Sequence, residues 1–301
     1  MINNKKKFVY LNRIMSWMYK DNAVNLNESN CHMFIDDVKD CISPYSDYKN
    51  YGYTGIEFIG KECDIKKVTG ILEKITRKKH ISNVKLVGYA LRQLTSSLLH
   101  NNGVTYYTYS FDGDQYFHQM DGAYIFDFFN IAVMGVSNSM RIRNNNHNFY
   151  NKVNNVFKLS MPPECGGVNS FKKLIFNLSA CKDMPHEVMD IFGGNYVLYF
   201  NARNRNILKI TSEWGWDLRG LAKEDLTESY KYYRKINFFI KMINLRGYLI
   251  EELNALLTSA GLDARIVIIE KYQKDYLKEL QGKIINGEIL NIELKGILGP
   301  V

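Results

Sequence analysis

The chain has 301 residues, enough for one large α/β domain or two smaller ones, and its 21 Tyr and 16 Phe argue for a folded core. Proline is scarce, and no linker, low-complexity tract or internal repeat is present. The formal charge of +8 is scattered through small clusters with no reader motif beside them, which leaves nucleic acid the weakest candidate partner.

Five cysteines (Cys31, Cys41, Cys63, Cys165, Cys181) form no CxxC pair, and their number is odd. With no secretory leader, they read as reduced thiols in a cytoplasmic protein. The N-terminus begins basic, but Arg13 and Lys20 interrupt the apolar residues after it, and no other stretch approaches membrane length. The expectation is a soluble protein with no membrane partner.

In chain order, residues 8–20 suggest a short amphipathic helix or strand, and 21–64 are turn-rich. Cys31, His32, Cys41 and Cys63 match no zinc spacing, so no metal is expected. Residues 1–69 read as an N-terminal extension, wrapping or partner-facing, before a domain over 70–301. Apolar spacing predicts a helix over 64–76 and a second one carrying Leu91, Leu94, Leu98 and Leu99, ended by Asn101-Asn102-Gly103. Between them stands Arg77-Lys78-Lys79-His80. Such a cluster suits a phosphate group by charge-assisted hydrogen bonds, or is a solvated turn; spacing alone favours the turn. The aromatic stretch 104–132, with its Asp-Gly turns, suggests a hairpin or meander, and 144–155 an exposed loop.

The segment KLSMPPECGGVNS makes a tight turn before LIFNLSA, which reads as a strand. Gly166-Gly167 allows a backbone to approach a ligand closely, and the turn is otherwise an ordinary loop. Cys165 has no histidine near it in sequence and reads as inert. His186-Glu187 fails as a zinc-protease motif, because Asp190 stands where the second histidine belongs. Residues 195–210 read as two strands around an Asn/Arg turn. The aromatic loop SEWGWDLRG leads into the basic-aromatic run SYKYYRKINFFIKMI before Gly247.

The last quarter is the most legible. Leu249, Ile250, Leu253, Leu256, Leu257 and Ala260 give a helix with one apolar face, closed by a left-handed Gly261 and packed by Leu262. Arg265 to Ile269 suits a strand buried on both faces, Tyr272 to Leu280 a helix, and ILNIEL (289–294) a further strand.

In this order the segments from about residue 70 onward resemble the nitroreductase superfamily, and within it the SagB-type dehydrogenases that oxidise azolines to azoles in modified peptides. The basic cluster before a helix is similar to that family's opening. PPECGGVNS is similar to its Pro-Ser-Ala/Gly-Gly turn, YVLYFNARNRNIL to its tyrosine-rich hairpin, and RGYLIEELNALLTSAGLDARIVI to its helix, Gly-Leu and strand. The resemblance implies an α+β (α/β) fold with a mixed sheet flanked by helices. It implies FMN held by Arg77, Lys78 and Lys79 at its phosphate, with Gly166 and Gly167 near its ring. Lys231 and Tyr232 stand in place of a catalytic Lys-Tyr pair. It further implies a peptide substrate, a homodimer, and other peptide-modifying enzymes such as a cyclodehydratase as partners. The chain departs from the pattern at Glu251-Glu252, where the family has Gln-Asn, and at Glu164, where it has serine. Those departures open a second reading, a flavin-free member that binds peptide or scaffolds a modifying complex.

Overall fold

The computed structural model describes residues 29–43, 53–76, 78–79, 81–110, 116–119, 156–181, 196–217 and 226–301. The expectations for 8–20, 120–132, 144–155 and His186-Glu187 lie outside them, as does Arg77. The described elements run α1 (Ser29–Cys41), β1 (Tyr53–Gly60), α2 (Glu62–Thr76), α3 (Asn83–His100), β2 (Val104–Ser110), β3 (Tyr116–Gln119) and β4 (Val156–Ser160). A 3-10 turn (Pro163–Cys165) comes next, then α4 (Gly167–Ala180), α5 (Tyr196–Ile210), α6 (Glu228–Ser259), β5 (Ala264–Glu270), α7 (Lys274–Asn286) and α8 (Asn291–Leu298).

The core is laid along α6, whose 32 residues extend about 48 Å at the α-helical rise. The helix starts where Thr227 accepts the Tyr230 N–H and Glu228 complements the macrodipole. It ends where Gly261 turns to φ 74° and the Leu262 N–H returns to Leu257 O at 3.1 Å. Between these ends Phe239, Met242, Leu245, Leu249, Leu253 and Leu256 are buried. The helix runs unbroken through Gly247, so the basic-aromatic run and the expected helix over 249–260 form one element.

Two antiparallel sheets flank this helix. In the first, β1 pairs with β5, Phe58 standing opposite Ile266 and Ile59 opposite Arg265. Asn254 of α6 takes the place of a third strand: its Nδ2 donates to Ile266 O at 2.9 Å, and its Oδ1 accepts the Ile266 N–H at 2.8 Å. The second sheet has the order β3-β2-β4, and the Ser160 N–H at its end donates to Tyr248 Oη on α6 at 2.9 Å. One helix thus anchors both sheets.

The architecture is α+β and mostly helical. The mixed sheet expected from the resemblance is not what the described strands form, since all of them pair antiparallel. Three segments expected as strands are helices. LIFNLSA lies in α4, where Phe171, Leu174, Ile175 and Leu178 are buried at three- and four-residue intervals. YVLYFNARNRNILKI is α5, and in ILNIEL only Leu294 is buried, on the same face of α8 as Leu298. In each case burial follows the helical period, which overrides aromatic and β-branched content. The strand β5 is buried on one face: Ile266 is inside, while Arg265 and Ile269 are exposed.

Residues from 1–69 share this core. Besides the β1–β5 pairing, α1 buries Phe34, Ile35 and Val38, and Trp216 Nε1 donates to Asp37 Oδ2 at 2.7 Å. Phe34 meets the rings of Trp214 and Trp216 edge-on, at centroid distances of 5.3 and 5.4 Å. Among the described residues no helix is long and apolar enough to cross a membrane.

Candidate functional site

The first half of α6 carries the basic-aromatic run, and the helical turn sends its members to different surroundings. Lys231 is half-buried. Tyr232, a hundred degrees further round, is fully buried, and among the described residues its hydroxyl has no hydrogen-bond partner. Burial, and then the Glu228 carboxylate, raise the Tyr232 pKa. Tyr230 and Tyr233 stack with their rings 6.2 Å apart.

Arg234 and Lys235 serve the fold. Arg234 donates to Leu208 O at 2.8 Å, to Thr211 Oγ1 at 3.0 Å and to Trp216 O, binding the end of α5 to α6. Burial pulls the pKa of its guanidinium down. Lys235 donates to Pro300 O at 2.8 Å and holds the C-terminal segment.

The glycine turn is a second feature. Cys165, Gly166 and Gly167 return their N–H groups to Pro162 or Pro163 carbonyls at 2.8–3.0 Å. Gly166 and Gly167 then take φ of 96° and 69°, a region where a side chain would be strained. Gly166 is the N-cap of α4 and Gly167 its first residue, so the helix opens with no side-chain cap. Lys241 of α6 clasps the turn by donating to Glu164 O at 2.8 Å. The buried Cys165 thiol lies against Lys241 O, its pKa pushed up to about 12 by burial, so it stays protonated at neutral pH. A Cβ on Gly166 would stand 3.8 Å from Glu213 Oε2, so one carboxylate already lies near the turn.

The basic cluster lies elsewhere. Lys78 and Lys79 are exposed before the start of α3, with Lys78 Nζ 5.9 Å from the Tyr89 ring centroid. The other end of α3, about 27 Å away along its 18 residues, leads to Gly103, which meets Met161 and Phe171 beside the glycine turn. One chain therefore brings Lys231 and Tyr232 onto neighbouring faces of a helix, but sets Lys78 and Lys79 apart from Gly166 and Gly167.

Three hydrogen-bonded charged groups are ones that sequence reasoning missed. Arg246 and Glu270 form a buried pair, and Asp37 holds Trp216. Arg246 is a lone basic residue flanked by the apolar Leu245 and Leu249 at helical spacing, a signal available in the sequence. Among the described residues no cluster of three or more His, Cys, Asp or Glu is placed to hold a metal ion. Comparison with protein-family models, curated proteins and solved structures finds no match for this chain.

Proposed function

We propose that the chain is an FMN-dependent oxidoreductase of nitroreductase type that oxidises azolines to azoles in a ribosomally made peptide. The observation supporting this is the Gly166-Gly167 turn. Two left-handed glycines form the start of a helix without a side-chain cap, and beyond the adjoining residues and the helix's own backbone nothing lies within 4 Å of where a Gly167 Cβ would be, which suits close approach of a planar ring.

FMN, when bound, supplies the hydride acceptor. Arg77, Lys78 and Lys79 would hold its phosphate. Lys78 and Lys79 lie at the far end of α3 from the glycine turn, so the reading includes the homodimer that the resemblance implies, with a flavin shared between two copies. Lys231 is the group of the run left to take the substrate proton, because Arg234 and Lys235 are spent on backbone carbonyls. Tyr232 would shape the wall behind it. The test is a visible absorption spectrum of the protein after saturation with FMN and removal of free flavin. A bound-flavin spectrum is expected, and a colourless protein removes the reading.

The second reading is a flavin-free subunit that binds peptide or organises a complex with a cyclodehydratase. The complete burial of Tyr232 favours it, because a sealed hydroxyl cannot touch substrate. Colourless protein that still co-purifies with its peptide or a modifying enzyme is the expected outcome there.

A further inference from the structure

Among the described residues the outer edge of β1 is open, and its hydrogen-bonding phase is set by β5. Ile266 gives both its N–H and its C=O to Asn254, so these groups point away from β1. Phe58, directly opposite Ile266, must then turn its own N–H and C=O away from β5. The Lys61 N–H bond to Asp263 O at 3.1 Å gives the same phase. Glu57, Ile59 and the Lys61 N–H face β5, the Lys61 carbonyl accepts from Asp64 and Ile65 at the start of α2, and the backbone groups of Ile56, Phe58 and Gly60 point outward. Among the described residues none hydrogen-bonds to that outward edge. Unpaired edges are templates for strand addition.

The order of side chains on this edge is its own antiparallel complement. With Ile59 laid against the partner's Ile59, Glu57 faces the partner's Lys61 and Phe58 faces the partner's Gly60. The outward groups of Phe58 and Gly60 then meet as hydrogen-bonding pairs, and the two isoleucines occupy the closer, non-bonded pair on the axis. Ile59 is 55% exposed, an apolar side chain with room to be covered. Lys61 is free to swing across, because its surface contact to Asp263, at 3.3 Å with both side chains exposed, is weak. A phenyl ring lying over a cross-strand glycine is a recognised way to protect a strand. Neighbouring registers lose these matches: an axis through Glu57 sets two carboxylates against each other, and one through Phe58 leaves Glu57 opposite isoleucine and Lys61 opposite Gly55.

We propose that β1 is a homodimer interface, in which residues 57–61 of two copies pair antiparallel about a two-fold axis through Ile59 and join the two β1–β5 ribbons into one four-stranded sheet. The inference stands on the backbone phase and residue order of β1, whether or not flavin binds. Because α2 starts at Glu62, the pairing is short and the dimer concentration-dependent.

Sedimentation velocity of the full chain over a concentration series tests it. The wild type is expected to dimerise. Glu57→Lys and Lys61→Glu each place like charges opposite one another twice and should weaken the dimer about tenfold. The double variant Glu57→Lys/Lys61→Glu restores opposite charges and should restore the dimer, a recovery that damage to the monomer would not give. Should a charge variant fail to fold, Ile59→Cys in a Cys63→Ser background decides the matter by forming a covalent dimer under mild oxidation, the on-axis pair being close enough for a disulfide. A monomeric wild type, undiminished single variants, an unrestored double variant, or no cross-link at position 59 overturns the proposal. An extended peptide that binds a monomeric wild type through β1 also overturns it and reassigns the edge.

Discussion

Arg246 and Glu270 meet as a two-pronged ion pair, Nε donating to Oε1 at 2.8 Å and Nη2 to Oε2 at 2.6 Å. Only 1% of the Arg246 side chain is exposed, and its remaining arm donates to Cys41 O at 3.1 Å. One guanidinium therefore ties α6 to the end of β5 and to the end of α1. Removing one partner leaves a buried charge without its counter-ion, which costs more than removing both. Glu270→Ala should lower the unfolding free energy by about 3–5 kcal/mol, and Arg246→Met/Glu270→Leu by clearly less. Urea unfolding of the two variants checks the order, and equal losses would contradict the account.

Two glycines on or beside α6 should respond in opposite ways to alanine. At Gly215, φ is 72° and a Cβ would stand 2.1 Å from Arg234 O, so Gly215→Ala should cost about 3 kcal/mol or more. Gly247 lies inside the helix with open space around its Cβ position. Gly247→Ala should stabilise by about 0.5–1 kcal/mol, since alanine loses less backbone entropy in a helix. Thermal unfolding separates the two.

The Lys231-Tyr232 pair divides by burial. The Tyr232 hydroxyl is buried without a partner, so Tyr232→Phe should leave stability unchanged or raise it by about 1 kcal/mol. If azoline oxidation is the activity, Lys231→Ala should lower turnover about 10²–10⁴-fold with bound flavin and melting temperature little changed. Tyr232→Phe should lower turnover far less. Peptide mass analysis beside thermal unfolding reads both, and loss of fold in Lys231→Ala would make the run structural throughout.

Asp64 should contribute to acid sensitivity. It accepts the Asp263 N–H at 3.1 Å and the Lys67 ammonium at 3.2 Å, and these bonds, the backbone one foremost, lower its pKa. A carboxylate whose pKa is lower in the folded state stabilises fully above its unfolded value, near pH 4. The contribution fades as pH falls through the folded value. Asp64→Asn should therefore be less stable than wild type at neutral pH, and the gap should narrow as pH falls below about 4. A constant gap across a pH series of urea midpoints would exclude this origin.

The helices over 64–76 and 249–260, the stripe ending at Gly103, the left-handed Gly261 and a strand over 265–269 were all legible in the residues alone. Each rests on local information: apolar spacing, a breaker, or a β-branched run between breakers. Segments 174–180, 195–210 and 289–294 misled because short apolar or aromatic runs suit either period, and the choice falls to what each run packs against. Tertiary structure also decided the fates of neighbouring cations. Lys231, Arg234 and Lys235 look alike in sequence, yet Arg234 and Lys235 face carbonyls of distant segments, and among the described residues Lys231 does not. The open edge of β1 was beyond sequence reasoning for the same cause, because its phase is set by Asn254 binding Ile266 from a different helix. Local pattern settles which residues turn together, and long-range packing settles what they meet.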